Sequence, residues 1–140
     1  MTEMDPPKDV QAAIERLPAA PRARMLELRA LILAAAAEAK VTPLTETLKW
    51  GQPSFAPVPR SAGTPIRIGW SEKTPETIGL FVHCQSGVMN LVRDIYTDAL
   101  TYDKNRGILL PLNTAPPETV VCQFVTLALT YKRKRRVLRV

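Results

Sequence analysis

Apolar residues in the first third of the chain recur every three or four positions, the spacing of one helix face. A first helix is predicted to open at Pro6 and Pro7, with Asp5 as its cap, and to end at Pro18. A second helix is predicted from about Pro21 to Lys40. Its apolar stripe consists of Met25, Leu28, Ile32, Ala35, Ala36 and Ala39. The residues that fall outside this stripe include Arg22, Arg29 and Glu38.

The middle of the chain changes to alternation between apolar and polar positions, which is typical of β-strands. The predicted strands are Thr47–Phe55, Pro65–Ser71, Thr77–Gln85, Leu100–Tyr102 and Arg106–Leu112. The last two flank Asp103-Lys104-Asn105, a hairpin-turn sequence. Ser86 is placed to cap a short helix before them, and Pro116-Pro117-Glu118 opens a final helix.

The element order α-α-β-β-β-α-β-β-α predicts an α+β fold with two layers. Because the connections among the strands are of hairpin length, we expect a mainly antiparallel sheet of about five strands, with helices packed on one face. The chain has no internal repeat and no low-complexity linker. A single domain is therefore predicted over residues 1–140.

The composition is that of a globular protein, with 46% hydrophobic and 23% charged residues. The longest apolar run, Ala30 to Ala37, is far shorter than the ~20 residues of a membrane span. The N-terminus lacks the basic start and apolar stretch of a secretory signal. We therefore expect a cytoplasmic protein without a membrane span. In that compartment Cys84 and Cys122 are expected to be reduced thiols, buried rather than bonded.

The net charge of +6 is concentrated at the C-terminus. Six of the nineteen basic residues follow Tyr131, and the remaining thirteen balance the thirteen acidic residues. Residues 132–140 therefore form a basic tail, which suits weak, nonspecific contact with nucleic acid or anionic lipid. The alternative is a solvated helix end, where cations are favoured by the helix dipole. The candidate nucleic-acid contacts are Lys132, Arg133, Lys134, Arg135 and Arg136.

The glycines of the predicted strands fall on the side opposite the apolar rows. The residues that share this side are Gly51 with Lys49, Gly69 with Arg67, Gly79 with Phe81 and His83, and Gly107 with Leu109. Glycine in a strand often marks close approach by a ligand or another backbone. Lys49, Arg67 and His83, together with Gly51 and Gly69, are therefore predicted to form a shallow site for an anionic or carbonyl-bearing ligand. Alternatively, a helix or a second copy of the chain, as in a homodimer, packs there.

Trp50 shares its predicted side with Leu48 and is expected to be a core anchor, because large aromatic residues dominate cores. A bulge at Gly51-Gln52-Pro53 would instead place the indole at the mouth of a pocket. The strand pattern favours the core position.

Catalytic and metal-binding patterns are not found. His83 and Cys84 are neighbours, and neighbours on a strand point to opposite faces, so the two are poorly placed to act together. The sequence has no Gly-rich phosphate loop, no zinc-type cysteine spacing and no paired carboxylates. We therefore predict no catalytic residue and no metal ligand, and the sequence assigns no cofactor.

The segment Glu46–Phe55 resembles a characteristic motif of the YdhG-like family, a domain of unknown function that is widespread in bacteria. The similarity continues through Pro65–Trp70, Phe81–Gln85, Asn105–Ile108 and Leu127–Tyr131 and covers roughly residues 10–132. It implies an α+β fold of helices against an antiparallel sheet. No residue is implied to be catalytic.

Some YdhG-like proteins are described as frataxin-like iron chaperones, which implies a frataxin-like fold and metal delivery as an alternative function. Frataxin-type iron binding uses carboxylates on the first helix and first strand. Here the first helix offers Asp9 and Glu15, interrupted by Lys8 and Arg16. Iron needs several oxygen ligands close together, so the sequence does not favour this function.

The sequence as a whole predicts a non-enzymatic intracellular binding module for a small ligand or a protein partner. The binding surface would be the glycine-lined side of the sheet. A nucleic-acid-associated protein acting through the basic tail is the main alternative, followed by a metal chaperone. An enzyme with a Cys or His centre ranks last.

Overall fold

The computed structural model describes the backbone of residues 5–139 and the side chains of residues 5–132. Within this range the helices are α1 (Lys8–Glu15), α2 (Ala19–Glu38), α3 (Val88–Tyr96) and α4 (Glu118–Arg139). The strands are β1 (Thr45–Lys49), β2 (Gln52–Ala56), β3 (Ile66–Gly69), β4 (Thr77–Phe81), β5 (Thr101–Asp103) and β6 (Gly107–Pro111). No helix in the described part of the chain has the length and apolar character needed to cross a membrane.

The strands form one antiparallel sheet in the order β1-β2-β3-β4-β6-β5. The first four strands lie side by side in chain order. Helix α3 then carries the chain to the edge strand β5, and β6 returns to lie between β5 and β4. The predicted α+β fold with a mainly antiparallel sheet is confirmed.

The hydrophobic core lies between the helices and one face of the sheet. Residues paired across antiparallel strands point to the same face. Phe55 pairs with Ile66 and Leu80 pairs with Ile108, and all four side chains are fully buried. Phe124 of α4 belongs to the same buried cluster.

The segment predicted as one strand from Thr47 to Phe55 is a hairpin, so that prediction is wrong and the sheet has six strands. Lys49 pairs with Gln52, and Trp50 and Gly51 form the two-residue turn between them. Both turn residues have positive φ, 51° and 76°, as in the type I′ turns that match strand twist. Trp50 is consequently 84% exposed and not a core residue.

Both predicted side-chain helix caps are wrong. Helix α1 follows Pro7 and α3 follows Gly87, and neither of these N-cap residues makes a side-chain capping bond. Asp5 lies before the cap position of α1. The Ser86 hydroxyl accepts a hydrogen bond from the Val88 amide at 3.3 Å, one residue earlier than a true cap would stand.

Strand β4 ends at Phe81, four residues before its predicted end at Gln85. Cys84 therefore lies in the turn after the strand and is exposed, whereas it was predicted to be buried. Cys122 is half-buried on α4, and both thiols are free. Burial, assisted by the charges of Glu38 and Glu118, raises the pKa of Cys122.

Helix α2 buries two arginines by giving them specific partners. Arg29 lies outside the predicted apolar stripe but is buried, with Nε donating to Glu46 Oε2 at 2.7 Å and Nη2 to Oε1 at 3.0 Å. This bidentate pair joins α2 to β1. Arg24 donates to the Pro111 carbonyl at 2.9 Å and to the Thr114 carbonyl. Together the two arginines attach α2 to the edge strand β1 and to the end of β6.

Candidate functional site

The face of the sheet away from the core is called the open face below. Strand pairing places Arg67 between Ser54 and Phe81, and Gly69 beside Gly79. Gly107 pairs with Phe81 and continues the same row. The predicted side of the strand glycines is thus confirmed for Gly69, Gly79 and Gly107. It is wrong for Gly51, which lies in the turn and on neither face.

The strand glycines make room for the ring of Phe81. A Cβ atom on Gly79 would lie 2.3 Å from Phe81 Cζ, and one on Gly69 would lie 2.9 Å from Phe81 Cε2. At Gly107 a Cβ would lie 2.8 Å from Phe81 Cδ1. The Phe81 ring therefore covers the three strand glycines on the open face. It forms part of the surface against which Arg67 packs.

Arg67 is held between aromatic rings and an amide. Its guanidinium carbon lies 4.9 Å from the centroid of Trp50 and 5.8 Å from that of Phe81. Nη1 donates to Gln52 Oε1 at 2.8 Å. Burial, together with the neighbouring charge of Arg106, lowers the pKa of Arg67. The fold therefore holds this cation where its charge is unfavourable, and a bound anion would relieve that cost.

Arg67 lines a cleft with a volume of about 980 Å³. Five regions of the chain line it: the β1–β2 turn, the segment from Arg60 to Arg67, the turn after β4, the β5–β6 turn at Arg106, and α4 at Tyr131 and Lys132. Gly63 allows the second of these to approach α4, because a Cβ there would lie 2.2 Å from the Ala128 carbonyl oxygen. The Thr64 amide donates to the same carbonyl at 2.9 Å.

The charge of this cleft has one sign. Its basic lining residues are Lys49, Arg60, Arg67, His83, Arg106 and Lys132. No aspartate or glutamate lines it among the described residues. Arg106 is paired with Asp103 at 3.1 Å, but within residues 5–132 no carboxylate lies in ion-pair contact with the other basic lining residues. Such a cleft concentrates positive potential and favours anions.

His83 and Cys84 lie at the surface of the cleft in the turn after β4. The Gln85 amide donates to His83 Nδ1 at 3.1 Å. In the neutral imidazole this bond places the proton on Nε2, which makes Nε2–H the free donor. Strand alternation does not separate His83 from Cys84, because both residues follow the strand.

Lys49, Arg67 and His83, the three predicted ligand contacts with side chains, are brought together in the cleft. Gly51 and Gly69 do not line it. Sequence reasoning missed Arg60 and Arg106, and the cleft gives Trp50 the rim position that was treated as the lesser alternative. The glycine after Trp50 is compatible with a two-residue turn but does not by itself predict one.

Of the predicted nucleic-acid contacts, Lys132 is described and lines the cleft. Arg133, Lys134, Arg135 and Arg136 lie outside the residues whose side chains are described. Weak nucleic-acid binding through the tail therefore stays a prediction.

The carboxylates of α1 do not form a ridge. The Asp9 carboxylate accepts from the Val10 amide at 2.8 Å, and Glu15 accepts from Gln11 at 3.0 Å. Across the described part of the chain no three His, Cys, Asp or Glu side chains cluster closely enough to hold a metal ion. Frataxin-like iron delivery gains no support from this arrangement.

The fold is similar to that of a solved bacterial protein. The crystal structure of YdhG from Bacillus subtilis, a DUF1801-family protein, superposes with a TM-score of 0.65 at 18% sequence identity. The match covers 86% of this chain and 89% of that chain. No protein-family model and no curated protein matches the chain. The predicted YdhG-like resemblance is thus confirmed at the level of the fold.

Proposed function

We propose that this chain is a binding module that takes a small anionic ligand in the cationic cleft. The observation that carries the proposal is the one-sided charge of the lining, six basic residues and no acidic one among the described residues. Clefts of this size, roughly 300–1,000 Å³, are typical of small-molecule sites.

Arg67 is the central group of the proposed site. Gln52 uses one of its five N–H donors, and the rings of Trp50 and Phe81 lie against the guanidinium, with centroids 4.9 and 5.8 Å from its carbon. The remaining donors suit the bidentate recognition of phosphate or carboxylate oxygens. Lys49 and Lys132 add point charges, and His83 offers Nε2–H at the rim.

The ligand binds without a catalytic step in this proposal. Among the described residues no carboxylate lines the cleft to act as a general base, and the described partner of the imidazole is the Gln85 amide. The site then functions by binding a negatively charged ligand.

Pyrophosphate is the probe that tests the proposal. In calorimetric titrations at low salt, the wild-type protein should bind it, and Lys49→Glu should weaken binding at least about tenfold because a like charge then faces the ligand. Lys49 is exposed, so the variant should keep the wild-type melting temperature within a few degrees.

Lys73→Glu is the matched control, because Lys73 is exposed, lies outside the cleft and makes the same change in net charge. It should bind pyrophosphate nearly as well as wild type. Equal weakening by both substitutions would mean that net charge, and not the cleft, governs binding. Failure of the wild-type protein to bind at low salt would end the proposal.

A further inference from the structure

Trp50 occupies a turn position at which folding does not require a tryptophan. It is 84% exposed and stands at the first central position of the β1–β2 turn with φ of 51°. Asparagine is the residue that such turns prefer, and a bulky side chain with positive φ is an outlier. Strained backbone of this kind clusters at functional sites.

The indole is placed to receive a flat ring. The Arg67 guanidinium covers it at 4.9 Å, and the high exposure of Trp50 leaves the rest of the indole surface open to solvent at the rim of the cleft. Trp50 is also the one aromatic residue among the strongly exposed large hydrophobic residues of the described chain.

We propose that the cleft binds a mononucleotide, with its base stacked on Trp50 and its phosphate among Lys49, Arg67 and Lys132. This proposal rests on the anion site proposed above and names its ligand class. A ring carrying a phosphate group satisfies both features of the site, the open indole surface and the unpaired cations beside it. An anion without a ring would leave the open part of the indole surface without a partner.

The observations favour one nucleotide over a nucleic-acid strand. Proteins that bind single strands stack successive bases on several aromatic side chains along a groove. Among the described residues, Trp50 is the one strongly exposed aromatic residue at this cleft. A single base therefore has a platform, and a second base has none.

Fluorescence of Trp50 gives a direct test. Trp70→Phe removes the other tryptophan, which is half-buried and donates from Nε1 to the Pro75 carbonyl at 3.0 Å, and so leaves Trp50 as the sole indole emitter. In this variant AMP should quench the emission saturably. Ribose 5-phosphate, which carries the phosphate without the base, should bind more weakly and quench little.

Trp50→Asn, made in the wild-type background, separates stacking from folding. Asparagine tolerates positive φ, so the melting temperature should stay the same or rise. Calorimetric affinity for AMP should fall roughly 5- to 150-fold, the range expected for loss of one base–aromatic stack. Affinity for ribose 5-phosphate should fall by less than the affinity for AMP, because that ligand has no base and loses at most the indirect effect of the Trp50 ring on Arg67.

Three results would overturn this assignment. AMP binding no tighter than ribose 5-phosphate would remove the base contact while leaving the anion site intact. A Trp50→Asn protein that binds AMP normally would do the same. A short oligoadenylate that binds at least tenfold more tightly than AMP would identify a strand as the occupant. If AMP, ribose 5-phosphate and pyrophosphate all failed to bind, the proposed anion-binding function itself would be wrong.

Discussion

Replacing Glu46 by leucine should lower the free energy of unfolding by about 3–5 kcal/mol, the largest loss we expect from a single substitution. Arg29 and Glu46 form a bidentate pair whose side chains are only 6% and 11% exposed. Leucine leaves the buried guanidinium without this carboxylate, and a buried charge that has lost its counter-charge is costly. Urea unfolding followed by far-UV circular dichroism measures the change.

The double variant Arg29→Met/Glu46→Leu distinguishes loss of the ion pair from poor packing of leucine. Removing both charges should recover at least about 1–2 kcal/mol relative to Glu46→Leu alone. Asp103→Asn is the control, because the exposed pair of Asp103 with Arg106 should contribute less than about 1 kcal/mol. A double variant no more stable than Glu46→Leu would show that the pair does not set the cost.

Gly63→Ala should lower the free energy of unfolding by about 3 kcal/mol and also weaken pyrophosphate binding. The new Cβ would lie 2.2 Å from the Ala128 carbonyl oxygen and 2.5 Å from the Leu129 carbonyl carbon. These are backbone atoms of α4, so no side chain can move aside, and overpacking of this kind costs about 1–3 kcal/mol or more. Displacing α4 would also move Tyr131 and Lys132 at the cleft wall.

Ser61→Ala provides the comparison for Gly63→Ala, since Ser61 is an exposed residue of the same loop that also lines the cleft. Its effect on stability should stay within about 0.5 kcal/mol. Urea unfolding and pyrophosphate titration of the two variants provide the measurements. A Gly63→Ala protein with wild-type stability would mean that the loop and α4 do not approach as closely as described.

The faces of the strands could be predicted from alternation alone, and the two β1–β2 turn residues could not. One straight strand would put Leu48 and Phe55 on opposite faces, whereas the turn brings both to the core face, and Trp-Gly is not one of the dipeptides that announce a type I′ turn. The apolar pattern therefore predicts one continuous strand that includes Trp50 and Gly51. The same error assigned Trp50 to the core, since strand alternation gave it the side of Leu48.

Two of the three predicted site side chains lie on strands, whereas His83 lies after its strand. Lys49 and Arg67 lie on strands, so alternation placed them together on the open face. Arg60 and Arg106 come from loops that meet only after the sheet has formed, and no local pattern reports that meeting. Arg29 was misjudged for a similar reason, because its partner Glu46 lies seventeen residues away on another element.

Alkylation of Cys84 tests most directly whether an anion occupies the cleft. In a Cys122→Ser variant, Cys84 is the remaining thiol, and it is exposed on the cleft lining. We predict that pyrophosphate at ten times its dissociation constant slows modification by iodoacetamide about tenfold, because only the free protein then reacts. Pyrophosphate that binds by calorimetry but leaves the rate of Cys84 modification unchanged would contradict binding in this cleft.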